Sequence, residues 1–286
     1  MQGMMTVFRK ELADHLTSWR FIIIFAIVFL VGIVAIYFDA QFIRQQVAEA
    51  RFVFLLLYTT TSTQINVPLF ILFIAFFMPL VGIILGFDAI NSEKNSGTLS
   101  RLLSQPIYRD SVINGKFLAG VVTIAVMLTS MVMLVAGLGL KMIGVPPSSE
   151  EAVRLLIYLI MSIIYSSFWL GLAILFSVFF QRVATSVLAS IALLMLFSFM
   201  FILPLVIQLE QVGFIIMQIS PVTLFLQVTQ LLLIPVIQPP GGLTSILSVG
   251  QSLLVAWPYL VSLIALTVVC FAVSYIKFMR EEIRST

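Results

Sequence analysis

Side chains able to do chemistry are scarce in this chain, and most of them gather in one stretch. Only 9% of the 286 residues are charged. Yet the run from Phe87 to Phe117, FDAINSEKNSGTLSRLLSQPIYRDSVINGKF, carries Lys94, Arg101, Arg109 and Lys116 against Asp88, Glu93 and Asp110. Mixed charges of this kind suit ion pairing and docking better than bond making. No Ser/His/Asp set, Cys/His cluster or paired-carboxylate site can be traced elsewhere, so no catalytic or metal-binding residues are expected. His15 is the only histidine and reads as incidental. Cys270, the only cysteine, lies in an apolar run where it serves as a small filler, and no intrachain disulfide can form. Gly115–Lys116 is followed by Phe117 and has no Gly five residues earlier, so it is not a P-loop. If a nucleotide drives this protein, another chain must bind it.

Within the stretch the local pattern is a short helix. Gly97 breaks the chain, and Thr98 can cap the next turn, because its hydroxyl can accept from a free backbone N–H. Leu99, Leu102 and Leu103 then fall on one helical face. Pro106 stops the helix by disfavouring helical geometry in the residue before it, and Asp110 or Ser111 can cap the helix that follows. The reading is a helix that offers three leucines outside any bilayer, rimmed by charge. A partner should cover those leucines; the alternative is that they rest on the bilayer surface.

The elements that position this stretch are set by composition. With 61% apolar residues and a mean hydropathy of +1.17, the chain cannot be an ordinary soluble domain, where about a quarter of residues are charged. Lipid must hide the surplus. The expected fold is an all-α polytopic membrane protein, a single domain over 1–286. Met5, Phe8, Leu12 and Leu16 form one face of an interfacial helix over 4–19, anchored by Trp19 and Arg20. Six spans follow, at about 21–38, 67–87, 117–140, 155–180, 183–209 and 253–275. The charged stretch, 88–116, joins the second span to the third. Pro146–Pro147 and the SSEE run read as a turn and a helix start. The segment 210–252 contains no Lys or Arg, is rich in Leu, Ile and Val, and is broken by Pro221, Pro235 and Pro239–Pro240–Gly241–Gly242. Short re-entrant helices dipping into the outer face reconcile those properties.

Charge orients the spans. If the first residues are cytoplasmic, the inner side holds Arg9, Lys10, Arg20, the four cations of 88–116, Arg182, Lys277, Arg280 and Arg284, eleven in all. The outer side holds four, Arg44, Arg51, Lys141 and Arg154. Eleven against four places both termini and the charged loop in the cytoplasm. None of the six apolar cores contains an ionisable Asp, Glu, Lys, Arg or His. Ion-coupled carriers usually keep such residues in the membrane, so a self-contained secondary carrier or channel is the alternative reading, with a membrane-embedded enzyme third. Ser162, Tyr165, Ser166 and Trp169, with Ser186 and Ser190, read first as helix-packing groups and second as a substrate path.

The charged loop also resembles a known signature. Asp88, Glu93, Gly97, Thr98, Leu99, Leu102, Leu103, Pro106, Arg109, Gly115 and Lys116 fall where the ABC type-2 exporter permeases carry an Asp and a Glu, Gly-Thr-Leu, a Leu pair, a Pro, an Arg and a Gly-Lys. The match is most similar to the branch containing the permease of the nitrous-oxide-reductase copper-maturation transporter. The motif covers about a tenth of the chain, and the span number and uncharged last outer loop agree with it. The resemblance implies a multi-pass cell-membrane permease, in the inner membrane where there are two, working as a homo- or heterodimer. It also implies two separate ABC ATPase subunits that bind the ATP and Mg. Glu93, Gly97, Thr98, Leu99, Arg101, Leu102, Leu103, Pro106 and Arg109 would dock those ATPases as a coupling helix. Membrane lipid is a further partner, with room for an extracytoplasmic one. No nucleic acid is implied, and the motif names no cargo or substrate-binding residues.

Overall fold

A computed structural model describes residues 2–46, 55, 69–99, 108–144, 146–207, 220–233, 236–237 and 245–280. Helices dominate: α1 (Gln2–Thr17), α2 (Trp19–Gln46), α3 (Leu69–Gly86), α4 (Asn91–Asn95), α5 (Arg109–Ile143), α6 (Ser149–Phe179), α7 (Val183–Ile207), α8 (Pro221–Leu233) and α9 (Val249–Arg280). Six stretches among the described residues are long and apolar enough to cross a membrane: Trp19–Tyr37, Phe70–Asn95, Arg109–Met142, Ser149–Phe179, Val183–Met200 and Val249–Arg280. The chain is therefore an all-α protein with six candidate spans, as its hydropathy requires.

The helices overrun the apolar cores because polar turns extend them past the hydrocarbon. At the start of α6, the Glu151 N–H donates to Ser148 Oγ at 3.3 Å and the Ser148 N–H donates to Glu151 Oε2 at 2.8 Å. This capping box satisfies two otherwise orphaned donors. It bears out the SSEE run as a helix start. The expected caps of α5 are corrected: Tyr108 is its N-cap, and Asp110 already stands in the first turn. Gly144 ends α5 in the left-handed region at φ 80°, where a side chain would be strained.

Helix α6 is the axis of the bundle. It packs against α3, α5, α7, α8 and α9, and 67% of its spanning window is buried, against 17% for α7 and 11% for α9. Small residues let its neighbours close in. A Cβ on Gly82 of α3 would lie 2.6 Å from the Ser166 carbonyl oxygen, and one on Gly86 would lie 2.8 Å from that of Leu170. Glycines four residues apart thus bring α3 onto the backbone of α6. The hydroxyls of Ser162 and Ser166 close on their own helix, donating to Tyr158 O at 2.9 Å and Ser162 O at 2.8 Å. Ser162, Tyr165, Ser166 and Trp169 are all buried, in keeping with a packing role. Among the described residues, exposed apolar side chains are most numerous on α2 and α9, with Leu30, Leu254 and Val268 more than half exposed, as are Leu188 and Met195 on α7.

The described part of 210–252 holds one short helix and a two-residue antiparallel pairing, Val236 with Ile246 and Ile237 with Ser245. At 13 residues, α8 spans about 20 Å and is too short to cross a ~30 Å core. It packs on α6 and α9.

Candidate functional site

Two of the charged residues that open and close the signature face inward and form the centre of a buried cluster. Lys116, in the third turn of α5, has a side chain only 4% exposed. Its ammonium lies 3.0 Å from Glu11 Oε1 and 2.9 Å from Glu93 Oε1. Lys10 joins them, 3.1 Å from Glu11 Oε1, 3.6 Å from Glu93 Oε1 and 3.8 Å from Asp14 Oδ2. Beside this cluster, Arg20 at the start of α2 pairs with Asp88 and lies over the Phe87 ring. Helix α1 is thus riveted across α5 and the start of the charged loop.

The backbone makes room for that crossing at Gly115. A Cβ there would lie 2.9 Å from Val7 Cγ1 and 3.2 Å from Phe8 N. The Gly-Lys pair of the signature therefore has a local cause: glycine admits α1, and the next residue neutralises the carboxylates α1 and the loop bring in. Val7 and Glu11 are the buried positions of α1, while Met5 and Leu16 remain exposed.

Electrostatics follows from this packing. Burial works to raise the Glu11 carboxyl, but Lys116 and Lys10 outweigh it and hold it below its ordinary 4.5. Burial works to lower the Lys10 ammonium, but Glu11, Glu93 and Asp14 prevail and raise it above 10.5. Burial pushes the His15 imidazole below 6.5, with Lys116 adding to the effect and Glu11, Asp88 and Asp14 opposing it. His15 lines both a 130 Å³ cleft over the ion pairs and a 320 Å³ cavity beside it, floored by Phe21, Ile24 and Ile84. Among the described residues, no group of three or more His, Cys, Asp and Glu side chains is arranged to hold a metal ion.

The loop is also seated on α6. Helix α4 has no capping side chain of its own. Instead Ser177 Oγ of α6 accepts from the Ile90 N–H at 2.9 Å and the Asn91 N–H at 3.1 Å. At the other end of α4, Asn95 Nδ2 donates to the Gln181 carbonyl at 2.9 Å. The Asn91 side chain is buried in this seat, and neither its Nδ2 nor its Oδ1 has a partner.

Several expected docking residues are repositioned by this geometry. Glu93 is spent on Lys116 and Lys10 rather than offered outward. Leu99 is 1% exposed and belongs to the core, because the chain turns inward after Gly97. Gly97 itself takes φ 69°, a left-handed turn that favours glycine. Thr98 is exposed and already helical; its hydroxyl donates to the Glu93 carbonyl at 3.2 Å and pairs with Ser96 Oγ at 2.8 Å. Asn95, Ser96, Gly97 and Thr98 are exposed. Arg109 is half-buried and lines a 520 Å³ cavity with Tyr108, Asp110, Tyr275 and Met279. Arg101, Leu102, Leu103 and Pro106 lie outside the described residues.

At the opposite end of α6 stands a residue that hydropathy reads only as a loop cation. Arg154 is fully buried. Its guanidinium donates to Leu232 O at 2.9 Å, Ser252 Oγ at 3.1 Å, Leu247 O at 2.6 Å and Glu150 Oε1 at 2.8 Å. One side chain of α6 thereby holds the end of α8 and the start of α9. Only the Glu150–Arg154 spacing, four residues on a helix, signals this in the sequence.

Comparison with known proteins adds two findings. Residues 5–283 match the family model described as ABC-2 family transporter protein. A probable ABC transporter permease protein NosY of Pseudomonas aeruginosa is 34% identical over 113 residues, which is 40% of this chain and 37% of that relative. The match thus spans little more than a third of the relative's length.

Proposed function

The chain belongs to the ABC-2 family of transporter proteins, and from that membership we propose that it is the permease subunit of an ATP-driven exporter. It carries no catalytic residues of its own and works with separate ATPase subunits that bind ATP and Mg. The observation that carries this reading is the seating of the signature loop. Its ion pairs fasten it to α1, α2 and α5, and its hydrogen bonds fasten it to α6, yet residues 95–98 are left exposed. A loop anchored this firmly to the bundle, with exposed residues between its anchors, is built to receive force from outside the membrane.

In this reading the loop is cytoplasmic, as are both termini, and the six spans lie in the cell membrane. Since the docking loop occurs once per chain, a pair of ATPases requires two permease chains. ATP binding draws the ATPases together and selects one of two states of the spans. The test is to co-express the tagged permease with a candidate P-loop ABC ATPase from the same source and weigh the detergent-extracted complex. Two permeases with two ATPases are expected. A permease that transports without any ATPase would overturn the reading in favour of a self-contained carrier.

A further inference from the structure

Resting on that reading, we propose that α6 is the strut that carries the motion of the cytoplasmic loop to the far face, with Ser177 as its input joint and Arg154 as its output joint. Neither residue belongs to the family signature. The two lie on one continuous helix, 23 positions and about 34 Å apart.

The input joint is a helix cap supplied by a neighbouring element. A helix N-terminus leaves backbone N–H groups without partners, and α4 lacks a capping side chain. Ser177 Oγ accepts two of those N–H groups, and the Gln181 carbonyl just beyond α6 holds Asn95. Displacement of α4 therefore either pulls the end of α6 or breaks these bonds. The output joint uses a fully buried guanidinium with four acceptors. Such a group cannot slide away from the carbonyls of Leu232 and Leu247 without losing charge-assisted bonds in a dry setting. Between the joints, the helix is held on several sides by its neighbours, so it moves as a rod.

Asn91 marks the input joint as one of two positions. A buried amide with both polar atoms unpartnered raises the free energy of the seat it occupies. A shift of α4 that lets this amide bond offsets that cost in the other position, so the seat is poised to be left.

The experiment uses the full permease–ATPase complex in lipid nanodiscs, with Cys270→Ser and a reporter at Gly250→Cys. Gly250 is exposed at the start of α9, next to the Arg154 joint, and a Cβ there meets nothing within 4 Å. Maleimide labelling is timed with and without vanadate-trapped nucleotide. With Ser177 intact, trapping should change the labelling rate several-fold. In Ser177→Ala the ATPases should stay bound and trap nucleotide while the change at 250 is lost, and Ser177→Thr should restore it. Ser252→Ala, which removes one acceptor at the output joint, should reduce the change. Full transmission in Ser177→Ala, or no response at 250 with Ser177 intact and nucleotide trapped, would overturn the strut. Failure of any ATPase to bind the intact chain would overturn the exporter reading beneath it.

Discussion

Pro79 and Tyr165 answer each other through a third residue. Pro79 in α3 has no N–H to give the Ala75 carbonyl four residues back, and the Tyr165 hydroxyl of α6 donates to that carbonyl at 2.6 Å. A helix defect in one element is thus closed by a side chain of another, where no water can do so.

This pairing makes a double-mutant prediction. Tyr165→Phe should cost about 1–2 kcal/mol of stability, because it leaves a buried carbonyl without a donor. In a Pro79→Ala background the alanine N–H supplies the missing bond, and the cost of Tyr165→Phe should fall substantially. Reversible unfolding in mixed micelles measures both. Equal costs in the two backgrounds would show that the hydroxyl serves something other than the proline gap.

The crossing at Gly115 should be intolerant of one methyl group. Gly115→Ala places carbon 2.9 Å from Val7 Cγ1 and should destabilise the α1 seat by about 1–3 kcal/mol, as overpacking does. Val7→Ala should relieve part of it. Proteolytic release of α1 from the folded complex is the readout, and an unaffected Gly115→Ala protein would mean α1 does not lie across α5.

Seating of α1 should depend on pH with a definite sign. Glu11 is depressed below 4.5, so its contribution is complete above that value and is lost as pH falls through its lower folded value. His15 is depressed below 6.5, so the unfolded chain takes up the proton first and the seat weakens as pH drops from 6.5. Lys10 is raised above 10.5, so its contribution is present below that value and is lost as pH rises through its higher folded value. Amide exchange in α1, corrected for intrinsic rates, should therefore be slowest between pH 6.5 and 10.5. Below 6.5 protection should fall by at most about tenfold per pH unit for each proton taken up. His15→Gln should remove the first of the acid steps and leave the one below 4.5. A profile flat from pH 7 to 4 would refute the cluster.

Two leucines of one motif should fail differently. Leu99 is buried in the core, so Leu99→Asp should destabilise the permease itself. Leu102→Asp should leave the six spans folded and release the ATPase, since fully burying a leucine is worth roughly 1.5–3 kcal/mol. Expression level, melting temperature and ATPase co-purification separate the two. Retention of a coupled ATPase by Leu102→Asp would place the docking contact elsewhere.

Orientation has a direct check. Cysteines replacing Ser96 and Pro147, both exposed, should react with an impermeant maleimide from opposite sides of the membrane in a Cys270→Ser background. Pro147 is chosen over Ser148 because the latter caps α6. Labelling of both from one side would invert the assignment of the loop.

The spans were legible because a hydrocarbon slab imposes a length and a polarity that any reader of hydropathy can recognise. Their ends are less so: Arg109–Ser111 and Ser149–Glu151 continue α5 and α6 beyond the apolar runs, where hydropathy no longer marks them. The charged stretch was visible as a unit, but not which charges turn inward. Glu93 and Lys116 are 23 residues apart, and Glu11 pairs with Lys116 across 105 residues of sequence, a distance that no local pattern spans. Apolarity alone puts Glu11 on the exposed side of α1, and its buried place makes sense only with Lys116 opposite it. Arg154 reads in sequence as a loop cation because two of its four acceptors are main-chain oxygens, which any sequence supplies, and a third, Ser252, lies 98 residues away.

The rivet between Glu11 and Lys116 also fixes an order of assembly. Glu11 is made first, and its partner follows 105 residues later. At the usual pace of synthesis that gap is roughly 5–20 s. During that interval α1 carries Glu11 and Asp14 with only Lys10 beside them and no seat to occupy. Met5 and Leu16, exposed even in the finished fold, are apolar groups that α1 can present to a surface until α5 emerges. The α1 seat is therefore a late contact, closed only after the first two spans and the charged loop have been made.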